Sequence, residues 1–304
     1  MKWGIALNVR DSISKTLEKA IIADEGEMDQ VWITDFPALR YAPAVAAAIA
    51  KKTSSCRIGV GLVSPLLYSS FQIVQFMTTL IESHGDRFDL LLGPGDRFAL
   101  ESIGISHAPK KIVEKIKNSL LEIKAGLLET GHGCSVFVGA QGPKMIEVSL
   151  DADGVLLNYS DLEMARWAAN KVKNKSRAGF QLGLFPPVQI GPCERFRDDL
   201  DISHSAAMVA VGLGKSVAEH FGLSSVLKDA RLLLKERGRI DSEVINSLGE
   251  EVLKKFAFCG SVKQLQEYVL ELKSIGFTNV VFGPPIGLSR KGIEKLTLAK
   301  STLF

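Results

Sequence analysis

Three stretches of the chain carry residues whose types and spacing suit chemistry on a small molecule. The first is Thr34-Asp35-Phe36-Pro37, directly after the apolar run Val31-Trp32-Ile33. A carboxylate there can accept a hydrogen bond from a ligand, and the same residue can equally open a turn before Pro37. The second is Leu92-Gly93-Pro94-Gly95-Asp96-Arg97. Its two glycines let a backbone approach a ligand closely, and Asp96 is a candidate acid or ligand anchor. Asp96 is equally placed to cap a helix that starts at Arg97. The third is Gly139-Ala140-Gln141-Gly142-Pro143-Lys144. Small residues lead there into a helix whose first turn suits Pro143. Free backbone N–H groups at such a start favour an anion, and Lys144 adds positive charge, so a phosphate is the ligand that fits. A tight turn with no ligand has the same spacing.

Other chemistry finds little support. No Ser-His-Asp arrangement is locally assembled, and five scattered histidines give no metal cluster. Cys56, Cys134, Cys193 and Cys259 lie far apart without a C-x-x-C pair, so reduced thiols and no metal site are expected. His84, before Gly85-Asp86-Arg87, reads as a helix-end residue. Gly212-Leu213-Gly214-Lys215-Ser216 looks like the tail of a phosphate-binding P-loop. That motif needs a glycine where Val209 stands, and residues 206–211 read as helix rather than strand.

The elements that must position these stretches follow from pattern. Short apolar runs recur at Ile5-Ala6-Leu7, Val31-Trp32-Ile33, 58–63, Leu90-Leu91-Leu92, Val136-Phe137-Val138, Val155-Leu156-Leu157, 182–190 and Val280-Val281-Phe282. They are apolar on both faces, as buried parallel strands are. Between them lie helical periods, such as Ile112, Ile116, Leu120, Ile123 and Leu127. Eight strand–helix units predict a closed (β/α)8 TIM barrel, with an open doubly wound sheet as the alternative. Residues 203–256 are helical and too long for one crossover, which predicts a helical insertion before the last strand. No Ser/Gly/Pro linker divides the chain, so 1–304 reads as one domain. In such a barrel chemistry belongs where strands end, and the three stretches above all follow strands. The third run carries Gly59 and Gly61 inside it, which marks a bulge or a close approach.

Composition bounds the partners. With 304 residues, 37 Lys+Arg, 34 Asp+Glu and a net charge of +3, the chain is too weakly charged to argue for nucleic acid or an anionic membrane surface. Its longest apolar stretch, 42–50, is far short of the roughly 20 residues of a spanning helix. Met1-Lys2-Trp3-Gly4 runs straight into a strand without a secretory pattern, so the cytoplasm is the expected compartment.

At its loops the sequence resembles the bacterial-luciferase-like superfamily of (β/α)8 flavin and deazaflavin enzymes, in particular the methylenetetrahydromethanopterin reductases that use coenzyme F420. Six segments carry the likeness: 31–35, 59–65, 92–96, 138–143, 153–158 and 283–287. They run in order from the second strand to the last. The resemblance implies an oxidoreductase that passes hydride between a reduced deazaflavin and a second small molecule, possessing the pterin chemistry of that family or one related to it. It implies a homo-oligomer, a dimer, as well. It implies a non-proline cis bond at Gly61–Leu62 beneath the ring, with Val63 and Ser64 beside it. Asp35 matches a ring-contacting carboxylate, and Phe36 a ring-stacking or wall position. Gly139, Ala140, Gln141 and Gly142 match the loop that meets the coenzyme's phosphate. Asn158 falls where the sixth strand reaches the mouth, and Asp96 at the position of a family acid.

Two departures bear on the reaction. Many relatives have histidine where Phe36 stands, and the reductases carry a glutamate in the first strand where this chain has Ala6. The segment between Leu128 and Val136 is also short beside theirs. Both cofactors of the superfamily present a flat ring and a phosphate, so FMN is an alternative, in a luciferase-like monooxygenase or reductase. Ala6 and Phe36 motivate a third reading, a barrel that binds a cofactor without catalysis.

Overall fold

The computed structural model describes residues 1–303 apart from 8–9, 38, 106–108, 192–195 and 197–199. The chain opens with β1 (Lys2–Leu7), α1 (Ile13–Glu25), β2 (Gln30–Ile33), α2 (Ala42–Ala50), β3 (Arg57–Val63) and α3 (Ser70–His84). It continues with β4 (Phe88–Leu92), α4 (Arg97–Ser102), α5 (Pro109–Glu129), β5 (Ser135–Ala140), α6 (Pro143–Ser149), β6 (Gly154–Leu157) and α7 (Leu162–Val172). After β7 (Gln181–Leu184) and β8 (Val188–Ile190) come five helices: α8 (Leu200–Val211), α9 (Lys215–His220), α10 (Ser224–Arg237), α11 (Ser242–Leu248) and α12 (Glu250–Lys254). Then follow β9 (Phe258–Gly260), α13 (Val262–Ile275), β10 (Asn279–Phe282) and α14 (Arg290–Ser301).

Eight strands close into a parallel barrel in the order β1-β10-β7-β6-β5-β4-β3-β2. This is the expected (β/α)8 architecture, and the open-sheet alternative falls. The helical insertion stands between β8 and β9, before the last strand. The seventh apolar run, however, is two strands rather than one. Pro186 and Pro187 interrupt it, and proline cannot donate to a ladder. β7 stays in the barrel, while β8 pairs with β9 in a separate two-stranded sheet. The reduced-thiol expectation also fails in part. Cys56 and Cys134 are free, but Cys259 is disulfide-bonded; Cys193 lies outside the described residues.

Strand alternation divides the apolar residues into two cores. Outward residues pack against the helices. Inward residues Ala6, Trp32, Leu91, Phe137, Leu156 and Val281 fill the barrel, with Leu62 and Phe185 against them. The Trp32 and Phe137 rings meet edge to face, their centroids 5.8 Å apart. Gly59 makes room for the indole, since a Cβ there would fall within the Trp32 ring. Below this plug the buried Asp89 carboxylate pairs with Arg57 at 2.8 Å, and Gln30 donates to Asp89 at 3.4 Å. The Trp32 indole N–H donates in turn to Gln30 at 3.3 Å. A buried charge survives when paired and hydrogen-bonded in this way.

Replacing Gly59 by alanine should therefore overpack the barrel centre. A loss of about 2–3 kcal/mol is expected in urea unfolding, near the top of the usual range for overpacked cores. An unchanged midpoint would mean that the indole has room to move.

Candidate active site

The floor of the barrel mouth is set by the third strand. β3 shifts register against β4 between Gly61 and Val63, and the Gly61–Leu62 peptide bond is cis. Gly61 has φ +152°, and a Cβ on it would collide with the Leu91 carbonyl oxygen. The bulge turns Leu62 inward, half-buried, across the ends of the neighbouring strands. A Cβ on Gly93 or on Gly139 would stand 2.5 Å from Leu62 Cδ1. Two glycines thus allow one leucine to lie across the opening as a flat apolar floor. Asn158, the first residue past β6, continues the inward parity of Leu156. Its Oδ1 is buried and has no hydrogen-bond partner among the described residues.

Asp35 stands at the end of β2 on the rim. The Tyr68 hydroxyl, from the loop between β3 and α3, donates to Asp35 Oδ1 at 3.4 Å. Burial raises the Asp35 pKa above the ordinary carboxylate value, against hydrogen bonds from Tyr68 and the Ala42 backbone that lower it. Tyr68 packs against Tyr41 and Phe76, both ring centroids 6.2 Å away, and those two rings also meet each other at 6.4 Å. The next residue, Phe36, is half-buried, and the Arg10 guanidinium lies 5.9 Å from its ring centroid. That distance is within cation–π range.

Asp96 is the N-cap of α4, and its Oδ1 accepts the Ala99 N–H at 2.8 Å. The capping alternative therefore holds. It leaves the carboxylate half-buried at the rim, so a role toward a ligand is compatible with it. The loop before it is fixed by Ser64, whose hydroxyl donates to the Pro94 carbonyl at 2.9 Å and accepts the Leu66 N–H at 3.2 Å. Gly95 takes φ +81°, with Ser64 close behind it.

The stretch after β5 meets the helical insertion. Gly142 caps α6, with Pro143 in its first turn and Lys144 exposed beside it. The Gln141 amide donates to the Val209 carbonyl of α8 at 3.2 Å. Near the other end of α8, burial and then the Arg10 charge lower the His204 pKa. α8 thus reaches loops that follow β5 and β1, strands on opposite sides of the barrel. The P-loop look-alike follows α8 as the turn into α9, with Gly214 as that helix's N-cap. It is not the strand-to-helix loop such a motif needs.

Most of the residues singled out in the sequence converge on this rim, with three corrections. Val63 and Ala140 are buried in the outer core, so their side chains point away from the mouth. Alternation places Leu62 and Gly139 inward and these neighbours outward, and only their main chain is offered to a ligand. The Ser64 hydroxyl is committed to its own loop. The sequence reading missed Tyr68, Arg10 and His204. Each comes from a loop or helix whose pattern carries no local signal; only folding sets Tyr68 beside Asp35, Arg10 over Phe36, and His204 within the field of Arg10. Among the described residues no three His, Cys, Asp or Glu side chains group as a metal site, and no helix is long and apolar enough to cross a membrane.

Residues 3–110 match the family described as Luciferase-like monooxygenase. A 5,10-methylenetetrahydromethanopterin reductase of Archaeoglobus fulgidus is 29% identical, the match covering 96% of each chain. That of Methanolobus tindarius is 26% identical, covering 97% of this chain and 98% of the other. The solved structure of the coenzyme F420-dependent tetrahydromethanopterin reductase of Methanopyrus kandleri matches with a TM-score of 0.82 at 21% identity, over 97% of each chain. The closed (β/α)8 barrel is the fold that the two share. An F420-dependent secondary alcohol dehydrogenase, in complex with an F420–acetone adduct, matches the same fold with a TM-score of 0.73 at 14% identity, over 100% of this chain and 99% of that one.

The cap at Asp96 has a measurable consequence. Asp96→Ala should cost about 1 kcal/mol of stability by loss of the cap. A thermal melt reads this directly, and an unchanged Tm would show that the cap contributes nothing.

Proposed function

We propose that the protein is a coenzyme F420-dependent oxidoreductase that transfers hydride between the reduced deazaflavin and a second small molecule. We take that molecule to be 5,10-methylenetetrahydromethanopterin or a related pterin. The observation that carries the reading is the mouth itself. Leu62 lies across Gly93 and Gly139, and at the end of β6 the buried Asn158 Oδ1 has no partner among the described residues. A planar ring with polar edges fits that floor; the names of two relatives support the pterin, and a solved structure of the same fold supports this coenzyme.

Each residue then has a stated task. Leu62 backs the ring and Phe36 walls it. The main chain at Val63 and Ala140 lines its edge, while Asn158 and Asp35 hydrogen-bond to its polar groups. The Gly139–Gly142 backbone and Lys144 meet the phosphate, whose charge suits free N–H groups and a cation. Reduced deazaflavin, when bound, supplies the hydride. Asp96 orients the second substrate and moves a proton on it. We read residues 1–304 as one domain, acting in the cytoplasm as a homodimer. Leu39, Tyr41 and Phe71 stand exposed near the starts of α2 and α3, Phe71 to 74%, and support such an association. Light scattering is expected to give twice the mass of one chain, and a monomer at micromolar concentration would remove the dimer.

Titration of the purified protein with coenzyme F420 and with FMN, followed in the visible spectrum, tests the cofactor. Saturable F420 binding is expected. Tight FMN binding with no response to F420 would instead support the luciferase-like monooxygenase reading, which the matched family description favours. Asp96→Asn keeps a good N-cap while removing the acid. It should leave Tm and F420 affinity nearly unchanged and lower turnover of the pterin at least about tenfold, the low side of what a positioned acid contributes. Binding without hydride transfer to pterins, alcohols or nicotinamides would leave a cofactor-binding barrel only.

A further inference from the structure

We infer that Tyr68 is a positioning residue for Asp35: its phenol O–H holds that carboxylate on the rim, where Asp35 accepts a hydrogen bond from an N–H of the bound ring. The inference deepens the deazaflavin reading and rests on it. It starts from a contact between two segments that are distant in sequence. Asp35 follows β2 and Tyr68 follows β3, and their side chains meet at 3.4 Å. That is long for an O–H···O bond. Hydrogen bonds at reacting sites are commonly long before ligand binds and tighten afterwards.

The neighbours explain why this contact matters. Asp35 loses water, and among the described residues no cation pairs with it. The groups facing it are Tyr68, Tyr41 and the Ala42 amide. Arg10 lies over the adjoining Phe36 ring, and Arg40 donates to the Asp11 carbonyl at 3.0 Å. Burial and the Asp35 charge push the Tyr68 phenol well above its ordinary range, and burial with the same charge raises Tyr41. Both phenols therefore remain protonated at every pH where the protein works. Tyr68 is a permanent donor, and Asp35 is the member of the pair that titrates. The Tyr68 ring is one of a mutually packed trio with Tyr41 and Phe76, centroids 6.2–6.4 Å apart, which fixes the ring that carries the donor. A purely structural role for Asp35, tying down the start of α2 through the Ala42 amide, would not need Tyr68.

A donor to the charged form lowers a carboxyl pKa, so its removal must raise it. In Tyr68→Phe, NMR of the free protein labelled at aspartate Cγ should show the Asp35 midpoint moved up by about 0.5–1 pH unit. Asp35→Asn identifies the resonance, and Tm checks that each variant is folded. The F420 dissociation constant, measured from pH 4.5 to 8.5, should rise in the wild type as pH falls through the Asp35 midpoint. Tyr68→Phe should carry the same acid limb displaced upward by the same amount, and Asp35→Asn should lack it. A midpoint that stays put in folded Tyr68→Phe overturns the pair. A midpoint that moves while the binding limb stays put overturns the positioning role, though F420 still binds. No F420 binding by any form overturns the deazaflavin reading itself, and the NMR midpoint still judges the pair.

Discussion

The site depends on how a packed barrel ends. The interior must be filled, because a hollow core loses the dispersion and burial that hold eight strands together. Yet a binding mouth needs a flat, open floor. The bulge at Gly61–Leu62 reconciles the two demands. It resets the inward parity of β3, so that Leu62 closes the apolar stack above Trp32, Leu91 and Phe137. Gly93 and Gly139 withhold their side chains, so Leu62 lies across the opening instead of standing up in it. Larger residues at either position would press on that leucine and tilt it into the space a ring needs.

The two ends of the barrel treat carboxylates in opposite ways. At the bottom, Asp89 is buried against Arg57, which binds it through two nitrogens and also reaches the Phe88 carbonyl. Such a group is paired and its hydrogen bonds are satisfied. At the mouth, Asp35 is desolvated with phenol and amide donors and, among the described residues, no paired cation. Its charge is therefore conditional on pH and on what binds. This asymmetry matches the general division of these barrels, in which one face serves stability and the other serves chemistry.

Much of this was readable in the sequence because the barrel repeats. All eight barrel strands fall on apolar runs, and the insertion announces itself by helical length alone. Glycines at 59, 61, 93 and 139 mark the places where the backbone approaches something closely, and each does. Val63, Ser64 and Ala140 lie in the right segments, but side-chain direction is a matter of parity and partners: Val63 follows the bulge in β3, Ala140 follows the regular alternation of β5, and Ser64 is held by hydrogen bonds of its own loop. The seventh run looked continuous because its prolines are themselves apolar. Tyr68 escaped notice because Leu66-Leu67-Tyr68 resembles any loop leading into a helix. Its partner is supplied by a different strand.

The departures from the resembling family narrow the proton chemistry that this mouth can support. Ala6 faces the interior as a fully buried methyl group, part of the stack below Leu62. Phe36 presents a ring to Arg10 where an imidazole would titrate near neutrality. Of the rim positions read from the sequence, Asp35 and Asp96 are the two carboxylates. Asp35 is desolvated and held by neutral donors, so its charge depends on its surroundings more than that of an exposed carboxylate does. Asp96 is anchored through Oδ1 to the Ala99 N–H at a helix start. The two carboxylates are thus fixed by different means: Asp35 stands at a strand end against a phenol, and Asp96 caps α4.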